Sequence, residues 1–221
     1  DFEVAVCGRK PIPASETGKN IRSTSIDEVC RKRFLILAVP ISAMRDTLAT
    51  VAPKLGPDTV VIDVCSVKVY PVQWMLERLP AHVPILATHP MFGPDSAADT
   101  LQGMKIALCP VRIEPALLRK TRDYLKEKQL TVIETTAEDH DRQIAVSLSL
   151  THFIGRSLAD FGAEPLSIDT EGYKRLLHIL GVVEHDTWQL FVDMNRYNPY
   201  ATATREAFLA AADKINRELE K

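Results

Sequence analysis

The sequence predicts an α/β domain built on a mostly parallel sheet, followed by an all-helical domain. Three observations predict it. Up to about residue 135, short apolar runs alternate with amphipathic segments, which is the grammar of βαβ units. One run, Phe34-Leu-Ile-Leu-Ala-Val39, is uninterrupted and is stopped by Pro40, as expected of a parallel strand covered on both faces. From Ala137 to the end no strand-like run remains. An antiparallel α+β arrangement is the alternative; the absence of hairpin signals such as Asn-Gly weighs against it.

The elements follow in order. Phe2 to Cys7 reads as a strand. Ser25 is placed to N-cap a short helix ending near Lys32. Phe34 to Val39 is a strand, and Ile41 to Ala52 has helical character that stops at Pro53. Val60 to Asp63 is a strand, Val72 to Leu79 a helix, and Ile85 to Thr88 a strand ending at His89-Pro90. Lys105 to Cys109 is a strand, Pro115 to Lys128 a helix, and Thr131 to Glu134 another strand. Asp139 to Phe161 reads as one long helix with apolar positions at Ile144, Leu148, Ile154 and Leu158, and Gly162 to Ser167 breaks it. Thr170 to Val183, Glu184 to Asn195 and Ala201 to Leu219 read as three further helices. The domain boundary is therefore expected near residue 136, giving domains 1–136 and 137–221. About 85 helical residues are few for an independent core, so that domain is expected to pack on a second copy of itself as a homodimer.

Composition bounds the function. With 46% hydrophobic residues, the chain is not a disordered tail. A formal net charge of −2 argues against a protein held on nucleic acid or an anionic membrane by bulk charge. No apolar run approaches the length of a transmembrane helix, and the first residues show neither a basic region nor a signal-peptide core. Cysteines 7, 30, 65 and 109 contain no Cys-x-x-Cys pair, so neither a zinc site nor a disulfide framework is expected. Three of them, Cys7, Cys65 and Cys109, sit in or beside apolar runs, which suggests small buried thiols of a reducing cytosol.

In an open parallel sheet, ligands bind beyond the carboxyl ends of the strands. Two predicted strands end there in chemically capable clusters, Asp63-Val-Cys-Ser66-Val-Lys68 and Thr88-His89-Pro-Met91-Phe-Gly-Pro94. A histidine at such a place can act as a general base near neutral pH, and a serine hydroxyl can hold its tautomer. Capping or loop packing is the bland alternative. The prolines and glycine that follow His89 weigh against it, because they fix the loop backbone around the ring.

These two clusters resemble the TyrA family, the prephenate and arogenate dehydrogenases of tyrosine biosynthesis. Glu138-Asp-His140-Asp141, Thr151-His152-Phe-Ile-Gly-Arg156-Ser-Leu158 and Ile168-Asp169-Thr-Glu-Gly-Tyr173 are most similar to its plant-type branch. The resemblance implies a Rossmann-like nucleotide-binding domain ahead of a helical dimerisation domain. It implies that His89 accepts the proton of the substrate's C4 hydroxyl while hydride moves to a nicotinamide, and that Ser66 hydrogen-bonds the histidine. Thr88 and His152 are implied on the substrate side. Val39, Pro40 and Met91 are implied on the cofactor side. Lys68 helps close the site or is a solvated strand-end charge.

Cofactor and substrate choice can be argued physically. If Phe2 to Cys7 is the strand that ends beside the adenosine ribose, its end carries Arg9 and Lys10 and no carboxylate, which favours NADP over NAD; a basic loop facing solvent is the alternative. Asp169 can face the ammonium that arogenate carries and prephenate lacks; in the plant-type branch an acidic residue at this position goes with arogenate and an asparagine with prephenate. A helix N-cap aspartate is the alternative. His152 and Arg156 share a helix face, and Arg156 can bind the ring carboxylate bidentately; a surface arginine and a packed histidine are the alternative. His140 and Asp141 read as interdomain packing, Trp74 and Trp188 as core or interface, and His82, His178 and His185 carry no assignable role.

The chain also departs from the family. No Gly-x-Gly-x-x-Gly occurs, so the first βα unit is expected to be missing from the sequence as given. The bacterial arginine of a Gly-Phe-x-Asp-x-x-Arg run is replaced in Gly172-Tyr-Lys-Arg175-Leu-Leu-His178. Glu171 stands where a lysine is common. The expected function is an NADP-dependent arogenate dehydrogenase in a cytoplasm, or in a plastid stroma for a plant or alga. Prephenate dehydrogenation and a non-catalytic dimerising module are the alternatives.

Overall fold

The computed structural model describes residues 2–8, 20–93, 97–184 and 186–221. The chain divides into two compact units. The first comprises Asp1–Val39, Ala43–Val64 and Pro71–Glu134; the second comprises Pro40–Ser42, Cys65–Tyr70 and Thr135–Lys221.

The first unit holds all the described strands. Five form one sheet in the order β3 (Phe34–Leu37), β4 (Val60–Asp63), β5 (Ile85–Pro90), β6 (Lys105–Arg112), β7 (Thr131–Glu134). Pairs β3–β4, β4–β5 and β6–β7 are parallel, and β5–β6 is antiparallel. The sheet is thus mostly parallel, as the alternating pattern predicts. The one reversal is made by a long connection rather than a tight turn, which is why no hairpin signal marks it. β1 (Val4–Val6) pairs in parallel with β2 (Ile21–Ser23) as a separate ribbon. Helices α2 (Met44–Val51), α3 (Val69–Arg78) and α4 (Pro115–Glu127) link the strands, and α1 (Ile26–Val29) is a single turn capped by the Ser25 side chain.

The centre of the sheet is its driest part. Val60, Val61 and Asp63 of β4 are buried, as are Ile85 to His89 of β5. Leu86, Ile106, Leu108 and Leu130 form one cluster, against which Ile62, Phe92, Leu118 and Leu125 pack. Each fully buried Leu or Ile stabilises by roughly 1.5–3 kcal/mol. The edge differs from expectation. Leu35 and Leu37 of β3 are buried, but Phe34 and Ile36 are exposed, so β3 is covered on one face only. A continuous apolar run cannot distinguish an edge strand from a central one. Cys7 is also exposed, whereas Cys30, Cys65 and Cys109 are the buried free thiols.

In the second unit, α5 (Ala137–Ile144), a π-helical turn (Ala145–Leu150) and α6 (Thr151–Phe161) run without interruption. This is the single long helix of the sequence reading, with one wide turn inside it. Gly162 ends it at φ 80°, a left-handed cap that favours glycine. α7 (Glu171–Glu184), α8 (Trp188–Arg196) and α9 (Ala201–Leu219) follow. Gly155 lets α6 and α7 approach closely, because a Cβ there would lie 2.8 Å from a methyl of Val183.

Candidate active site

His89 lies on β5 itself, one residue before its end, and is buried. Its backbone is fixed by the antiparallel ladder with β6, with Thr88 opposite Leu108, His89 opposite Ala107 and Pro90 opposite Ile106. The carboxyl ends of β4 and β5 are neighbours, with Asp63 paired to Ala87. The Thr88 hydroxyl donates to the Asp63 carbonyl at 2.6 Å, so its proton serves the sheet. Met91 is half-buried just past the strand. Val39, past the end of β3, is half-buried, and Pro40 is exposed. Arg9 and Lys10 lie outside the described residues.

Ser66 stands three residues past the end of β4, within the second unit. Its hydroxyl oxygen is buried and has no hydrogen-bond partner among the described residues. Lys68 is fully buried, which corrects the reading of it as a solvated strand-end charge. This short segment is tied to the helical residues by Asp141. The Asp141 carboxylate accepts from the Lys68 amide at 2.7 Å and the Val69 amide at 2.9 Å, and His140 Nδ1 lies 2.8 Å from the same carboxylate. Asn198 in turn donates to the Asp141 carbonyl at 2.8 Å. Asp193 does the equivalent for the segment after β3. It accepts from the Ser42 amide at 3.0 Å and the Ser42 hydroxyl at 2.8 Å, with Gln189 donating at 3.0 Å to its other oxygen. Both aspartates are buried, and both carboxylates are hydrogen-bonded at the start of a helical segment, where partial positive charge stabilises them.

The remaining candidates sit on the helices. His152 is buried on α6, and its Nε2 lies 3.4 Å from the Asp186 carboxylate. Burial pushes its pKa below the ordinary histidine value; Asp186 opposes the shift and Arg156 adds to it. Arg156 donates from one terminal nitrogen to the Asp186 carbonyl, stacks over Trp188 at 5.9 Å, and keeps its Nε buried and unpartnered among the described residues. The structure thus brings His152, Arg156 and Asp186 together. Asp186 carries no signal in the sequence beyond a charged residue between two helices. Trp188 is exposed and is not core, whereas Trp74 is buried. Asp169 lies 3.6 Å from Lys174 and is half-buried. It is not the cap of α7: Thr170 is, accepting from the Tyr173 amide at 3.2 Å.

Comparison with known proteins gives this geometry a lineage. Residues 14–134 match the family model for the prephenate dehydrogenase nucleotide-binding domain. The chain belongs to the prephenate dehydrogenase family. Residues 157–221 match the model of a TYRAAT1-like C-terminal domain. Arogenate dehydrogenase 2 of Arabidopsis thaliana, a chloroplastic protein, is 33% identical over 171 residues, which are 75% of this chain and 48% of that protein. A probable arogenate/prephenate dehydrogenase of Methanocaldococcus jannaschii is 26% identical over 97% of this chain and 51% of that protein. The chain spans about half the length of these curated relatives or less. Among solved structures, prephenate dehydrogenase from A. aeolicus shares the fold with a TM-score of 0.69 at 21% identity, over 90% of this chain and 75% of that one. Synechocystis arogenate dehydrogenase does so with a TM-score of 0.66 at 19% identity, over the same shares.

A dinucleotide needs a cradle for its diphosphate, usually amides of a glycine turn that opens a helix after a strand. Among the described residues, the glycines with positive φ are Gly103 and Gly162, and neither opens a helix. The segments that open helices after β3 and β4 already hold the carboxylates of Asp193 and Asp141. No such cradle lies among the described residues; what they can supply is proton transfer and substrate recognition.

Proposed function

We propose that this chain carries the proton-transfer and substrate-binding machinery of an arogenate dehydrogenase, which converts L-arogenate to L-tyrosine and CO2 with a nicotinamide dinucleotide as hydride acceptor. The observation that carries the reading is His89, buried at the carboxyl end of the central strand β5 inside the run Thr88 to Gly93. As general base it takes the proton of the C4 hydroxyl. A backbone fixed by the ladder with β6 suits that role, since a base must hold its distance to the proton. Ser66, whose buried hydroxyl has no partner among the described residues, is assigned to the same proton-transfer step as the residue that holds the tautomer of the base.

Arg156 is assigned to the ring carboxylate. Its hold on the Asp186 carbonyl orients the guanidinium and leaves N–H donors for the ligand. Asp169 is assigned to the substrate ammonium; an anionic side chain there favours arogenate and repels the keto acid. Thr88 and His152 are assigned to the substrate side, and Val39, Pro40 and Met91 to the cofactor side. Arg9 and Lys10 favour NADP over NAD, since a basic pair accommodates a 2′-phosphate.

The chain is further proposed to act as a homodimer through its second unit, which exposes Val146, Phe161, Ile168 and Leu219. No described helix is long and apolar enough to cross a membrane. A cytoplasmic location is proposed, or the plastid stroma in a plant or alga; the Arabidopsis relative is chloroplastic.

The test is His89→Asn. Turnover of arogenate should fall by roughly 10²- to 10⁴-fold with thermal stability unchanged. Retained activity would remove His89 from the mechanism.

A further inference from the structure

Asp186 lies in the break between α7 and α8 and serves two residues of α6, all within the second unit. Its carboxylate lies 3.4 Å from His152 Nε2, and its backbone carbonyl accepts from a terminal nitrogen of Arg156. His152 and Arg156 stand four apart on the helix, hence on one face. Each keeps one polar atom over. His152 Nδ1 and Arg156 Nε are buried and have no hydrogen-bond partner among the described residues. A buried polar atom costs free energy until something pairs with it.

Burial pushes the His152 pKa below the ordinary histidine value, so the ring is neutral at neutral pH and carries one proton. The carboxylate beside Nε2 draws that proton to Nε2, because an N–H faces an anion favourably and a bare lone pair does not. Nδ1 is then a lone pair, an acceptor. The Arg156 Nε–H can only donate. One helix face therefore offers an acceptor and a donor on residues whose Cβ atoms stand roughly 5–6 Å apart. A ligand that satisfies both brings an N–H or O–H donor beside an anionic oxygen.

We propose that Asp186 is a positioning residue that sets substrate choice through His152: it fixes the Nε2–H tautomer, so that Nδ1 accepts from the side-chain ammonium of arogenate while Arg156 takes the ring carboxylate. This rests on the functional reading above. In arogenate the ring carboxylate and the side chain that bears the ammonium leave the same ring carbon, so neighbouring groups on one helix face suit them. In prephenate a keto oxygen stands in place of the ammonium. Nδ1 would then meet another lone pair and stay unpaired, and a site built to bond a donor rejects an analogue that lacks it. An ammonium carries three N–H donors, which leaves the assignment of Asp169 intact.

The experiment uses the chain without a cofactor. The nitrogen chemical shifts of the His152 imidazole are read by NMR, its signals being those lost in His152→Gln. Binding of arogenate and of prephenate is measured by titration calorimetry. Wild type, Asp186→Asn and Asp186→Glu are compared. The wild-type spectrum, which needs no substitution, should show a protonated Nε2 and a bare Nδ1 at neutral pH. Asparagine keeps the shape but can turn an amide N–H toward Nε2, so the tautomer should reverse and Nδ1–H should oppose the ammonium. The Kd for arogenate should then rise about tenfold, the scale of one lost hydrogen bond to a charged group, with the Kd for prephenate not raised. Asp186→Glu, which keeps the anion, should restore the tautomer and part of the affinity. The Arg156 contact is to backbone and is kept in all three chains.

A protonated Nδ1 in the wild type, a tautomer that Asp186→Asn leaves unchanged, or a reversed tautomer with the same ratio of the two Kd values would overturn the proposal. A wild type that shows the Nε2–H tautomer but binds neither substrate would instead sink the functional reading, and the recognition role with it, and leave Asp186 only as the group that fixes the ring.

Discussion

His89 and His152 are both buried, yet they are held in different ways. His89 sits in a strand, and its backbone is pinned by β6 on one side while β4 ends beside it. His152 sits on a helix face, and what orients it is a side chain, Asp186, from the break between α7 and α8. Backbone ladders are insensitive to the identity of the side chains beside them. A side-chain network is not, because losing one member leaves a buried polar group unsatisfied at a cost of about 1–3 kcal/mol. The sheet-held group is therefore the better place for a catalytic base. The helix-held group is the better place for recognition, where single substitutions can retune what is bound.

That contrast can be broken or sharpened in three ways beyond the His89 substitution. The largest effect is expected from Gly155→Ala. The new methyl would meet both Val183 methyls and Ile179, all branched, with Val183 buried. The helices must move apart at a cost of roughly 1–3 kcal/mol, read as a lower midpoint of denaturation. The same displacement should raise KM for arogenate more than it lowers kcat, because α6 carries His152 and Arg156 but not His89. An equal loss in both would erase the distinction between the two regions.

Next is Asp169→Asn. With the anion gone, the preference for arogenate over prephenate should shrink by up to about fivefold, the worth of one partly exposed charge pair. Unchanged preference would take Asp169 out of the recognition argument and leave it as the partner of Lys174.

The smallest effect is the pH dependence of stability through His152. Its pKa is depressed in the folded chain by burial, so the unfolded chain takes up the proton more readily. The stability it contributes is full above the unfolded value of about 6.5 and is lost as the pH falls through that value toward the depressed folded one. Urea titrations from neutral pH downward should show this loss in the wild type and a shallower one in His152→Gln. Identical slopes would mean that His152 is not held neutral by its surroundings.

The fold was legible where pattern and burial agree. Val60 to Asp63 and Ile85 to Thr88 are apolar runs ended by polar residues, and both are strands of the sheet. β2 escaped notice because Ile21-Arg22-Ser23 has a single apolar residue and pairs with β1 through backbone alone. Of the candidate site, His89 could be found because the run around it is distinctive. Asp186 could not, since nothing in its neighbours marks it as a partner of His152. Asp141 and Asp193 lay between these cases. Asp141 shares a helix face with Ile144 and Ala145, and Asp193 with Leu190, so each is a charge on an apolar stripe. A carboxylate in such a place is buried only if amides await it. Those amides come from segments more than seventy residues earlier in the chain, which periodicity alone cannot bring together.

The most direct test of the account is the rate of NADPH formation by the chain with arogenate and with prephenate, measured side by side. The account predicts turnover of arogenate in clear preference to prephenate. Turnover of prephenate in preference to arogenate would contradict the role given to Asp169, and turnover of neither would contradict the assignment of dehydrogenase chemistry to this chain.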